Sequence, residues 1–102
     1  MKVASVILAV LFAVGSNACA LYRDCKCHDK TTGQQNDAAT KAACNYYRET
    51  QSDAYTYSDE PHHQCSSNAV GDGLIDNCKW DDACKAAGGP NMYQYCWNKF
   101  PW

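Results

Sequence analysis

From Leu21 to Cys27 the chain reads with a period of two: Arg23, Cys25 and Cys27 fall on one side, Asp24, Lys26 and His28 on the other. A period of two is that of a β-strand, whose successive side chains leave opposite faces. Asp29 to Gln35 is a polar turn containing Gly33. The period then lengthens. Asn36 or Asp37 can cap a helix through Ala38 to Tyr47, with Thr40, Ala43, Cys44 and Tyr47 on one side at i, i+3, i+4 and i+7. Its alanines predict close approach to whatever it covers. Ala54 to Ser58 reads as a second strand, with Tyr55 and Tyr57 sharing a face, and Asp59-Glu60-Pro61 as a turn. His62 to Ser66 reads as a third strand. Val70, Leu74, Ile75 and Cys78 outline the buried stripe of a second helix starting near Ser67, Asn68 or Asp72. Asp81 to Pro90, closed by Gly88-Gly89-Pro90, reads as a loop. In the last strand, Asn91 to Trp97, Tyr93, Tyr95 and Trp97 face one way and Met92, Gln94 and Cys96 the other. The predicted order is β-α-β-β-α-β, in one domain without repeats or linkers.

The first residues follow a different pattern. Met1-Lys2 precedes an apolar run, Val3 to Val14, interrupted only by Ser5, and then the small residues Gly15-Ser16-Asn17-Ala18. This is the pattern of a secretory signal peptide; the run is shorter than the ~20 residues that span a bilayer. The reading is a signal peptide over residues 1–18 and a single domain over 19–102, secreted and without a membrane span. A cut after Ala20 also satisfies the small-residue rule, but it removes Cys19. The cut after Ala18 keeps all eight cysteines, Cys19, Cys25, Cys27, Cys44, Cys65, Cys78, Cys84 and Cys96, the even number expected of an exported disulfide framework.

Composition makes that framework necessary. After residue 18, only Leu21, Val70, Leu74, Ile75 and Phe100 are Leu, Ile, Val or Phe. A chain below ~20% of these residues ordinarily stays unfolded. Tyrosine, tryptophan, alanine and cystine must supply the interior, and covalent staples must offset the chain entropy. The formal charge is −2, without a basic run, which argues against nucleic acid as a partner. No Asn-x-Ser/Thr sequon and no cofactor motif occurs.

The run Cys25-Lys26-Cys27, Thr32-Gly33, Asn36, Ala39-Thr40, Ala43-Cys44 and Tyr47, followed by Cys65 and Cys78, resembles the α-subunit of the virally encoded killer toxin of smut fungi and the small secreted fungal effectors of similar fold. The likeness covers roughly residues 23 to 79. It implies a ferredoxin-like α+β sandwich, with two helices on one face of a four-stranded antiparallel sheet. In such a sandwich Cys25 and Cys27 point at the helices, within reach of Cys44 and Cys78, and at least one strand-to-helix bridge is expected. Eight cysteines allow 105 pairings, which sequence leaves open.

Three chemistries compete for the remaining residues. Zinc could use Cys25, Cys27 and His28 with His62, His63 and Cys65, yet Cys27 and His28 lie on opposite strand faces and exported thiols oxidise. No metal is therefore expected. A thiol nucleophile needs a free cysteine, and an even count spares none. The acid pairs Asp59-Glu60 and Asp81-Asp82 sit in predicted turns as solvated charge, and His62 and His63 read as turn residues. The aromatics are the informative remainder: Tyr93, Tyr95 and Trp97 are expected on the uncovered sheet face, joined by Tyr55 and Tyr57. They either pack beneath a returning Phe100-Pro101-Trp102 tail or form a contact surface. The functional expectation is a secreted, non-enzymatic effector or toxin-like protein that binds a protein or cell-surface component of a host or competitor. The alternatives are an inhibitor of extracellular proteases or hydrolases, presenting the loop Asp81 to Pro90, and a small secreted hydrolase.

Overall fold

The computed structural model describes residues 19–51, 54–68 and 73–101, so the expected signal peptide over residues 1–18, Val70 and Trp102 lie outside the described residues. The elements are β1 (Leu21–Asp29), α1 (Asp37–Thr50), β2 (Tyr55–Ser58), β3 (Gln64–Ser67), β4 (Ile75–Asp76), α2 (Asn77–Gly88) and β5 (Met92–Lys99). They build an α+β fold of two helices and one antiparallel sheet, with five strands where four were expected. β1 is the centre of the sheet. One edge of it pairs with β5 along most of its length, from Tyr22↔Lys99 to Asp29↔Met92. It also pairs with β3 at Asp24↔Ser66 and Cys25↔Cys65, and with β4 at Leu21↔Asp76 and Tyr22↔Ile75. β2 continues the sheet beyond β3.

Local chemistry explains the first helix. The Asn36 side chain accepts the Ala39 N–H at 2.9 Å, satisfying a donor that the helix itself leaves unpaired. Thr40 then does two things: its hydroxyl donates to the Asn36 carbonyl at 2.8 Å and accepts the Cys27 N–H at 2.9 Å, joining α1 to β1. Ala39, Thr40, Ala43, Cys44 and Tyr47 form the buried stripe, and their small side chains bring the helix down onto the sheet.

The second helix lies further along the chain than its apolar stripe indicated. Ile75 and Asp76 belong to β4, and the Asp76 carboxylate caps α2 by accepting the Cys78 and Lys79 N–H groups at 2.8 and 3.2 Å. The segment read as a loop, Asp81 to Pro90, is helical through Gly88. Trp80, Ala83 and Cys84 are its buried positions, and Ala83 to Ala87 is rich in helix-forming residues. Gly89, with φ of 100°, stops it.

Four disulfides cross-link these elements: Cys19–Cys78, Cys25–Cys96, Cys27–Cys84 and Cys44–Cys65. The expected strand-to-helix bridge from the Cys25/Cys27 pair is Cys27–Cys84. Cys44 and Cys78, the expected partners, instead bond Cys65 and Cys19. Cys25 and Cys65 are direct register partners, so they share a sheet face with Cys27. Bridges from that face to α1 and to α2 place both helices over it. An aromatic group fills the space between. Tyr47 packs edge-on against Tyr55 at 4.7 Å and against the fully buried Trp80 at 5.8 Å, and Trp80 Nε1 donates to the Lys26 carbonyl at 3.1 Å.

Asp81 is not a solvated turn residue. Its carboxylate accepts the Gln94 backbone N–H at 2.9 Å and the Lys85 ammonium at 2.6 Å, so α2 covers part of the outer edge of β5. Uncovered edge donors invite pairing with another chain. Asp81→Ala is expected to cost about 1 kcal/mol and to make the protein self-associate, measured by urea unfolding and by light scattering after gel filtration. A variant with the wild type's scattering mass and stability contradicts this role.

Candidate functional site

The strand alternation that turns Cys25 and Cys27 towards the helices turns Asp24, Lys26 and His28 the other way. The β1–β5 register sets Trp97, Tyr95 and Tyr93 opposite them in that order. His28 stacks on Tyr95, with centroids 4.3 Å apart and planes 13° from parallel, and Tyr93 tilts against the same ring at 5.7 Å. Tyr95 and Trp97 are neighbours at 6.2 Å, and His62, from the turn before β3, meets Trp97 edge-on at 5.9 Å. The Lys26 ammonium lies 5.3 Å from the Trp97 ring centre, a cation–π contact, and donates to the Gln35 side-chain carbonyl. Gln35 in turn donates to the His62 carbonyl at 3.1 Å, which ties the turn to the sheet. Lys26, His62, Tyr95 and Trp97 line a groove of about 240 Å³.

Electrostatically the face is sorted. Asp24 is only 8% exposed and accepts hydrogen bonds from the Ser66 hydroxyl at 2.6 Å and from the Asn98 amide. Its charge is thus engaged within the protein. Burial, and after it the Lys26 charge, pull the His28 pKa below the ordinary 6.5, while a bond to the Gly33 backbone opposes them. His28 Nε2 is buried without a partner. The neutral ring therefore suits the stack and the ammonium beside it. Below pH 6.5 an unfolded chain takes up this proton while the folded chain resists it. The stabilisation from neutral His28 is thus present above 6.5 and lost as pH falls through the lowered value. Urea midpoints measured downward from neutrality should fall more steeply for the wild type than for His28→Phe. Parallel curves would contradict this.

Of the aromatic residues expected on this face, Tyr93, Tyr95 and Trp97 are there. Tyr55 and Tyr57 are not. Tyr57 is the register partner of Cys65, so both tyrosines share the helix-covered face. Tyr55 is buried against Tyr47, and Tyr57 packs at the margin of the core with Lys41 near its ring. Burial, and after it a bond to Asp59, raise the Tyr57 pKa. His63 sits by Asp59 and Tyr57 at 3.3 and 3.4 Å, away from His62's role at Trp97. Phe100 anchors its N–H on the Leu21 carbonyl at 2.8 Å, and the Trp102 that was to close the tail lies outside the described residues. Lys26 and His28 follow from the same alternation that located the cysteines. His62 and Gln35 come from turns and have no comparable signal.

The sulfurs offered to zinc, those of Cys25, Cys27 and Cys65, are all in disulfides. Cys19, Asp76 and Cys78 also converge, yet the two sulfurs are bonded to each other and the carboxylate caps α2. Every cysteine is paired, so the described chain holds no thiol nucleophile. A second depression, of about 410 Å³, is lined by Asn77, Cys78, Asp81, Asp82 and Gln94. Its Asp81 is already committed to Gln94 and Lys85. The aromatic and basic groove is therefore the candidate site.

Residues 22–94 match the model of a family described as "Family of unknown function (DUF5948)". No curated protein and no solved structure matches the chain.

Proposed function

Because this chain belongs to the DUF5948 family of unknown function, we propose its role from its own residues: a secreted, non-enzymatic effector or toxin-like protein that binds a protein or cell-surface target through the open sheet face. The observation that carries this reading is the groove of Lys26, His62, Tyr95 and Trp97 on a sheet face opposite the helices. Tyr95 is 48% exposed, and an aromatic surface with one basic group is the composition of recognition hot spots. Export fits the four cross-links, which persist in oxidising surroundings. The Cys19–Cys78 bridge favours the leader cut after Ala18, since a cut after Ala20 would discard Cys19.

The strand pairings β2–β3, β3–β1 and β1–β5, with both helices on one face, support reading the fold as a ferredoxin-like sandwich to which β4 is added. We read the killer-toxin likeness as a relationship of scaffold, with action on a host or competing organism. The inhibitor reading has lost its loop, because residues 81–88 are helical. No observation favours a hydrolase.

The test compares oxidised mature protein with Trp97→Ala and Tyr95→Ala on intact cells and cell walls of hosts and competing microbes. The variants should keep wild-type near-ultraviolet circular dichroism and lose about tenfold or more in binding, the scale of a recognition hot spot. Binding indifferent to both substitutions, or none to any surface, overturns the proposal.

A further inference from the structure

We propose that the groove takes an acidic glycan, a saccharide whose pyranose rings carry carboxylates, held one ring at a time. This rests on the open face being the recognition surface, and it adds the chemistry of the ligand.

Size comes first. Enclosed small-molecule pockets run to about 300–1,000 Å³, whereas this groove is about 240 Å³ and lies open on the sheet. It suits one unit of a longer molecule lying across the face. The walls come next. Tyr95 and Trp97 stand 6.2 Å apart at 57°, and Tyr95 is braced by His28 on one side. Aromatic ring faces are electron-rich, and the C–H face of a pyranose is their polarised counterpart. Bracing by the histidine holds the wall ready, which lowers the ordering cost of binding.

Charge then selects the acidic form. The Lys26 ammonium is held by the neutral Gln35 and the Trp97 ring, and among the described residues it joins no ion pair. Among the described residues no carboxylate lines the groove: Asp37 is held by the far end of the Gln35 amide at 2.7 Å, and Asp24 on the same strand face is buried under Ser66 and Asn98. A ligand carboxylate beside the stacked ring would receive a charge-assisted hydrogen bond from Lys26. Backbone recognition of a peptide strand is disfavoured at β5, where Asp81 already holds the Gln94 N–H. The phosphate track of a nucleic acid needs a basic stripe that a chain of net charge −2 lacks.

Calorimetric titration of the intact protein tests this with four probes: an oligogalacturonate, an oligoglucuronate, the methyl ester of the oligogalacturonate, and polyglutamate. The protein should bind at least one acidic saccharide. If the oligogalacturonate binds, its ester should bind at least about tenfold more weakly, as befits loss of one charge-assisted contact. Lys26→Gln should weaken the acidic saccharide similarly, with Lys26→Arg restoring most of it. Binding to neither saccharide, equal binding of acid and ester, or polyglutamate binding as tightly as the saccharides overturns the proposal. If these fail while cell-surface binding still depends on Trp97, the glycan is wrong and the recognition surface stands. If Trp97 dependence is also absent, both fall.

Discussion

Replacing Cys27 and Cys84 together with alanine is expected to leave a chain that no longer folds at physiological temperature. The bridge joins the central strand to α2 across 57 residues, and both sulfurs are completely buried. Loop closure over that length stabilises by about 4 kcal/mol in the chain-entropy model. Small domains hold only about 5 kcal/mol or somewhat more in total. Removal also empties two sites in an interior with few methyl groups to refill them. Among the described residues, Leu74 and Ile75 are the buried aliphatic side chains larger than alanine, apart from Met92. Cys19–Cys78 closes a loop of similar length, 59 residues, and so contributes a similar loop-closure term, but Cys19 is exposed at the edge of the fold and removing it empties no comparable interior site. Thermal unfolding should therefore show the Cys27/Cys84 double variant to be the less stable of the two. Equal, small losses would show that the interior holds without the Cys27–Cys84 cross-link.

Trp80→Ala is expected to cost about 3–5 kcal/mol, the range for deleting a buried aromatic ring. Among the described residues Trp80 is the largest fully buried side chain; it packs against Tyr47, and its Nε1–H donates to the Lys26 carbonyl directly beneath the open face. Trp80→Phe keeps much of the ring and loses the hydrogen bond, so about 1–2 kcal/mol should suffice. Trp97 lies on the other side of the sheet, and Trp97→Ala should cost less than either. Urea unfolding of the three variants gives the ranking. A Trp97 variant as unstable as the Trp80 variant would mean that the open face is a second core.

Much of this arrangement is written locally. The alternation around Cys25 and Cys27 places Lys26 and His28 outward without any knowledge of partners, and Asn36 announces α1 three residues before the N–H it receives. The second helix was harder to read. Leu74, Ile75 and Cys78 mimic a helical stripe because Ile75 is buried by β1 rather than by a helix turn. The signal that decides the matter is Asp76, a cap standing just before an alanine-rich run. Tyr55 and Tyr57 were misplaced because their face depends on register with Cys65, a relation set by pairing between strands and not by any residue alone. Pairings such as Cys25–Cys96 have the same origin: they follow from the β1–β5 register, which exists only after the chain closes on itself. His62 reaches Trp97 through the path of a turn anchored by Gln35, a contact between segments far apart in sequence.

The bridges and the open face are one geometric statement. If Cys27 bonds Cys84, Cys44 bonds Cys65 and Cys25 bonds Cys96, both helices must lie on the cysteine side of β1, and Lys26, Tyr95 and Trp97 must lie on the other. Mass spectrometry of peptides from the unreduced protein reads those pairings directly. The expected map is Cys19–Cys78, Cys25–Cys96, Cys27–Cys84 and Cys44–Cys65 without free thiol. Cys25 or Cys27 linked to any other partner, or recovered reduced, would contradict the account.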